Sequence, residues 1–327
     1  MKILIVTNMY PDKERPYRGI FVKEQCDSVK KYFPDVTLDV CYIDGNKGKV
    51  EYLKSIFYVN NRIRKGCYDI VHIHFGLSGL YLLSPLRTKV PTLVTFHGSD
   101  IQPQGGNGPL TLNVSRYVAR HSEACVILNN QMESIVKQYN PNTFLIPCGV
   151  DTDVFYPHET KKTTDNNIRI VFPSSSSVSV KNYPLFCQVV DVLSRKYNIT
   201  SKIQELSGLS RQQVADVFRT SDIMLMTSIS EGSPQAVKEA LACGLPTVST
   251  PVGDVLTLLE GVSGCYVSET SDAEELASLV VKSLSCNNRG GEGRKRIMQL
   301  QLDLKATAEK IYRLYCDYYQ NYQNGKS

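Results

Sequence analysis

Short apolar runs recur along the chain, spaced so that a helix fits between each pair. KILIVT (2–7), TLDVCYI (37–43), DIVHIHF (69–75), PTLVTF (91–96), ACVIL (124–128) and TFLIP (143–147) form a first series. Near-continuous apolar strands alternating with helical-period segments predict a parallel sheet covered on both faces. The pattern restarts with IRIVF (168–172), TSKIQEL (200–206), DIMLMTS (222–228), LPTVST (245–250) and GCYV (264–267). Between the two series lies HETKKTTDNN (158–167), polar throughout, which reads as a linker. Two successive βα series predict two Rossmann-like domains, 1–157 and 158–304. A last helix over roughly 294–320 ends in YRLYCDYYQNY, and so many aromatics need a surface to cover. Its C-terminal part, ~305–327, is expected to pack back on the first domain. KVEYLKSIFYVNNRIRKG (49–66) reads as an amphipathic helix with Tyr52, Ile56, Val59 and Ile63 on one stripe.

Composition narrows the function. With 42% hydrophobic residues in 327, the chain can bury two cores. The formal charge is +5, and residues 1–155 hold 18 Lys+Arg against 14 Asp+Glu. That bias is too mild to argue for nucleic acid. Ten cysteines without a CxxC pair read as buried free thiols in a reducing compartment. MKILIVTNMYP is too short for a signal peptide, and no apolar run reaches the length of a membrane span. A cytoplasmic protein is expected. The first loop, TNMYPDKERPYRGIF, has no G-x-G-x-x-G, which argues against a nicotinamide oxidoreductase.

The densest chemistry lies in EGSPQAVKEALACG (231–244). DIMLMTS reads as a buried strand, Ser233 as an N-cap and Pro234 as the first helical residue. Ala236, Val237, Ala240 and Leu241 make the apolar stripe, and Gly244 the stop. Glu231 then falls in the loop at the C-terminal end of a parallel strand, where open α/β sheets bind ligands. The helix N-terminus suits a diphosphate, and Glu239, on the second turn, can reach a vicinal diol attached to it. Taken singly, each glutamate also fits a plain role, as a macrodipole partner or a solvated side chain.

EGSPQAVKEALACGLPTVSTPVGD resembles the E-x7-E segment of retaining nucleotide-sugar glycosyltransferases of the GT-B fold, in the large family four. YRGIFVKEQ (17–25), TFHGSDI (95–101), PCGVDTDVFYP (147–157) and SVKNYPLF (179–186) resemble four further motifs of that family, in the expected order. The resemblance implies an α/β protein with two Rossmann-like domains facing across a cleft. It also implies transfer of a sugar from a UDP- or GDP-sugar to an acceptor hydroxyl, with retention. Glu239 would hold the donor ribose, Glu231 would stand by the donor sugar and the reacting carbon, and Lys181 would clamp the diphosphate. His97 would face the donor sugar. Gly19, Gly232, Ser233, Gln235 and Ala236 would line the donor site.

An arginine that the family often carries five residues before the lysine is Ser176 here, and Arg18 is a candidate substitute. No cofactor and no metal is expected: Asp151 and Asp153 have D-x-D spacing but suit backbone hydrogen bonds better. His72 and His74 share one strand face, and packing is their expected role. The resemblance further implies bacterial surface-polysaccharide or glycolipid synthesis with a sugar or lipid-linked acceptor. Arg62, Arg64, Lys65 and Lys30-Lys31 would then face an anionic membrane from its inner side. The rival reading is a non-catalytic nucleotide-sugar-binding protein, motivated by Ser176 and the short second domain.

Overall fold

The computed structural model describes residues 1–103, 108–157, 167–286 and 290–324. They form two compact units, Met1–Gly149 with Leu304–Ser327, and Val150–Asp303. In the first unit, β1 (Lys2–Thr7), β2 (Thr37–Tyr42), β3 (Ile70–His74), β4 (Thr92–Thr95), β5 (Ala124–Ile127) and β6 (Thr143–Leu145) make one sheet in the order β2-β1-β3-β4-β5-β6. Every pairing is parallel. Strands β3, β4 and β5 are buried along their whole length, including the histidines of β3 and the threonines of β4. Successive β1 residues face opposite ways. Ile3 and Ile5 meet α1 (Ile20–Tyr32), while Leu4 and Val6 share a core with α2 (Lys49–Gly66). Helices α3 (Pro109–His121) and α4 (Asn130–Val136) join the α2 face through Val118, Met132 and Val136.

The second unit repeats the plan. Its strands β7 (Asn167–Phe172), β8 (Thr200–Glu205), β9 (Ile223–Met226), β10 (Thr247–Ser249) and β11 (Tyr266–Val267) run parallel in the order β11-β10-β9-β7-β8. One face is covered by α5 (Tyr183–Tyr197) and α9 (Ala273–Leu284). The other carries α6 (Arg211–Thr220), α7 (Gln235–Ala242), α8 (Val255–Leu259) and α10 (Gly293–Gln299). Strand β7 has β8 on one side and β9 on the other. The winding therefore reverses at β7, and the C-terminal ends of β7 and β9 flank the point at which open α/β sheets bind ligands.

Two boundaries differ from the sequence reading. The first unit ends at Gly149, not 157. Val150 N–H donates to Leu302 O, and Phe155 packs its ring 6.3 Å from Phe218 inside the second core, so PCGVDTDVFYP is divided between the units. The helix expected over 294–320 is two helices. The chain breaks after α10, where Gln301 takes φ +53°, and resumes as α11 (Leu304–Asn324). Helix α11 packs on the α1 face through Ala308, Ile311, Leu314 and Tyr315, and Tyr312 stacks on Phe33 at 3.9 Å. The stretch expected as the linker lies outside the described residues except for Asn167, which opens β7.

Candidate functional site

The loops after β7 and β9 are stitched together. Ile229 N–H donates to Val180 O at 2.9 Å, and the Thr227 hydroxyl lies 3.1 Å from both Lys181 O and Asn182 O. This brings Lys181 and Glu231, fifty residues apart in sequence, into contact: Nζ lies 2.6 Å from Oε1. Ser228 donates to the same Oε1 at 2.7 Å. Lys181 stands on a 3-10 turn (Ser179–Lys181) one residue before the left-handed Asn182, so it precedes α5 and does not begin it.

Glu239 lies one helix further in, on α7. It is 4% exposed and accepts from Arg211 Nη2 at 2.6 Å. Arg211 opens α6, and its guanidinium lies over the Phe155 ring at 4.6 Å. Beside Glu239, Lys238 is fully buried. Asp254 is held close by, where Ser233 donates to its Oδ2 at 2.6 Å and its Oδ1 is buried without a hydrogen-bond partner. Burial pushes the Asp254 carboxyl above the usual range, and the Lys238 charge opposes that shift. Gly253 must be glycine here: at φ +57°, an added Cβ would stand 2.6 Å from Gly232 O. The edge thus gathers three carboxylates and three cations, and α7 begins at Gln235, four residues after Glu231.

Several expectations change. Ser233 is not the N-cap, because its hydroxyl goes to Asp254. Pro234 takes that position and α7 starts at Gln235, with Ala236 half-buried against the core. Ser176 is exposed, and its N–H donates to Glu205. The sequence reading missed Arg211, Lys238 and Asp254. A cation opening a helix after the parallel strand β8 was the available signal for Arg211.

Arg18, Gly19 and His97 belong to the first unit. Gly19 caps α1 in the left-handed region, where a Cβ would come within 2.4 Å of the Met9 backbone. Its requirement for glycine is therefore met inside the chain. The Arg18 guanidinium contacts Met9 Sδ and Asn8 O. His97 follows β4, stacks on Phe75 at 4.3 Å and shares a hydrogen bond with His74, Nε2 to Nδ1 at 3.1 Å. Asp100 holds this loop by accepting from the N–H groups of His97 and Gly76, and burial raises its carboxyl to about 6. His72 is a packed core residue between Tyr315 OH (2.6 Å) and Thr95 Oγ1 (2.7 Å), and burial lowers its pKa to about 3. Asp151 accepts from the N–H groups of Asp153 and Val154. Among the described residues, no group of three His, Cys, Asp or Glu is placed to hold a metal ion.

Two parallel sheets with this winding are the GT-B architecture. Sucrose-phosphate synthase from Thermosynechococcus elongatus superposes with a TM-score of 0.80 at 15% identity, over 98% of this chain and 99% of that one. Anabaena Alr3699/HepE, solved in complex with UDP-glucose, superposes at 0.72 and 13% identity, over 97% and 100%. Residues 6–154 match the family described as Glycosyltransferase Family 4, and residues 184–286 match Glycosyl transferases group 1. The chain belongs to these glycosyltransferases. Among curated relatives it is 23% identical to TuaC of Bacillus subtilis (strain 168), over 86% of this chain and 89% of that protein. TuaC is described, provisionally, as a teichuronic acid biosynthesis glycosyltransferase.

Proposed function

We propose that the protein moves a sugar from a UDP- or GDP-sugar to an acceptor hydroxyl with retention of configuration, in the synthesis of a bacterial surface polysaccharide or glycolipid. The observation that carries this reading is the meeting of Lys181 with Glu231 at the winding reversal of the second sheet. The donor diphosphate takes Lys181 from Glu231, and the N-terminal turn of α7 adds its dipole. Glu239 accepts from the ribose hydroxyls. Arg211 is the second cation on this edge, in the role that Ser176 leaves open. It lies in the same unit as Lys181, which Arg18 does not.

In the reaction, the bond between the sugar C1 and the β-phosphate oxygen breaks. The acceptor oxygen bonds to C1 on the same face, and its proton passes to the leaving phosphate. Glu231 stabilises positive charge developing on the ring, and Lys181 stabilises the departing phosphate. The acceptor is assigned to the first unit, whose own edge carries His97, Phe75 and Phe21. Fixed cations serve the diphosphate without a divalent ion. The UDP-glucose complex of HepE favours UDP as the first donor to test, and TuaC favours a cell-surface glycan.

Calorimetry with UDP and GDP, followed by turnover of the matching sugar donors with and without EDTA, tests the reading. Binding of one diphosphate and turnover that survives the chelator are expected. No binding of either, or activity abolished by EDTA and restored by magnesium or manganese, would overturn the corresponding part.

A further inference from the structure

Helix α2 covers the first sheet with one face, and its other face is unlike that of a plain covering helix. Val59 and Ile63 are buried, with Ser55 and Asn60 beside them. On the opposite side Val50, Leu53 and Phe57 stand 58%, 59% and 77% exposed. At about 100° per residue these three fall within roughly 60° of arc, so they form one apolar stripe over the first three turns. Arg64 prolongs the same stripe in the last turn, with Lys54 and Lys65 along its flank. Single exposed hydrophobics are ordinary, but a stripe of three rimmed by cations marks a docking face.

The charge on this segment is also distinctive. Residues 47–66 contain Lys47, Lys49, Lys54, Arg62, Arg64 and Lys65 against Glu51 alone, six minus one, or +5. The whole chain is +5, so everything outside these twenty residues sums to zero. Arg62 lies beside Tyr68 and Cys41, away from this stripe. Lys30 and Lys31 end α1, on the other face of the sheet, so they do not belong to this patch.

We propose that the outer face of α2 docks on an anionic lipid bilayer. Val50, Leu53 and Phe57 enter the boundary between headgroups and acyl chains, while Lys49, Lys54, Arg64 and Lys65 meet lipid phosphates. This is the arrangement of a helix lying in the membrane plane. A second copy of the chain is the weaker occupant, because a two-fold contact would set +5 against +5. The inference stands on this surface alone. It deepens the proposed function by placing a lipid-linked acceptor beside the unit assigned to bind it.

The chain contains no tryptophan, so Phe57→Trp is a clean reporter. With vesicles of phosphatidylglycerol and phosphatidylcholine at low salt, its emission should shift to the blue and be quenched by acyl-brominated lipid. High salt should release it, and pure phosphatidylcholine should leave it unchanged. In the otherwise native chain, Leu53→Ser with Phe57→Ser should cut sedimentation with anionic vesicles by at least about tenfold. Both side chains are exposed, and an unchanged melting temperature confirms that the fold is intact. Arg64→Gln with Lys65→Gln should remove most of the salt dependence. No donor or acceptor is present, so failure here and failure of the glycosyl-transfer reading are separate results. An unshifted reporter on anionic vesicles overturns the proposal. So does a shift that follows protein concentration without lipid, with dimer mass in light scattering.

Discussion

Glu231→Gln is predicted to bind nucleoside diphosphate more tightly than the native protein while turning over more slowly. Lys181 is held at 2.6 Å by Glu231, with side chains 24% and 13% exposed. A diphosphate that recruits Lys181 must first break this contact. A hydrogen bond between charged groups is worth about 1.5–3 kcal/mol, and the remaining solvent access argues for the low end. About 1.4 kcal/mol released by the amide corresponds to about tenfold in affinity. Removing a negative charge beside the incoming phosphates acts in the same direction. Turnover should fall by about 100-fold, because an amide cannot stabilise positive charge on the sugar ring as a carboxylate does.

Isothermal calorimetry with UDP and GDP reads the first effect, and donor turnover reads the second. Lys181→Ala should weaken binding, and on that background Glu231→Gln should lose most of its benefit. An affinity for Glu231→Gln equal to or below that of the native protein would refute the competition between carboxylate and phosphate. Nothing local in the sequence signals this ion pair, whose partners stand fifty residues apart.

Four further outcomes follow from the geometry. A double-mutant cycle of Arg211→Ala and Glu239→Gln, followed by urea unfolding, should show a coupling of about 1.5–3 kcal/mol, and simple additivity would mean that the pair does not form. Glu239→Gln alone should also weaken nucleotide binding. Gly253→Ala forces a left-handed alanine against Gly232 O, and should cost about 1–3 kcal/mol in stability and lower turnover by displacing the Glu231 loop; native values for both would contradict the close approach. His72 is neutral in the fold and titrates near 6.5 when unfolded, so its contribution is complete above that pH and is lost as pH falls towards about 3. At pH 5 the loss is about 2 kcal/mol, and His72→Gln should remove this part of the slope in pH-dependent unfolding. An identical slope in the variant would contradict it.

What was legible in the sequence was whatever depends on neighbours along the chain. The apolar runs place the strands because a buried parallel strand must be apolar throughout, as IVHIH and ACVI are apart from two bonded histidines. The helix expected over 49–66 spans those residues. Its buried stripe was legible by periodicity, but the exposure of its outer triplet was not, since periodicity does not say which of two apolar faces meets the sheet. Contacts between distant loops left no local signal. Arg211 meets Glu239 across 28 positions, and Asp254 takes the Ser233 hydroxyl across 21. The second contact also moved the expected N-cap, because a serine already bonded to a carboxylate does not cap a helix. The early end of the first unit has the same origin: Phe155 is placed by Phe218 and Arg211, which follow it by more than fifty residues.

Glycosyl transfer is proposed to take place at the edge that holds Lys181 and Glu231. Its most direct test is the fate of labelled sugar from a panel of UDP- and GDP-sugars, offered with polyprenyl-diphosphate-linked glycan acceptors to the native protein and to Lys181→Ala. One donor is expected to transfer its label in the native protein, NMR of the product to show the donor's anomeric configuration, and Lys181→Ala to lose most of this transfer. Equal transfer by the variant, or a product of inverted configuration, would contradict it.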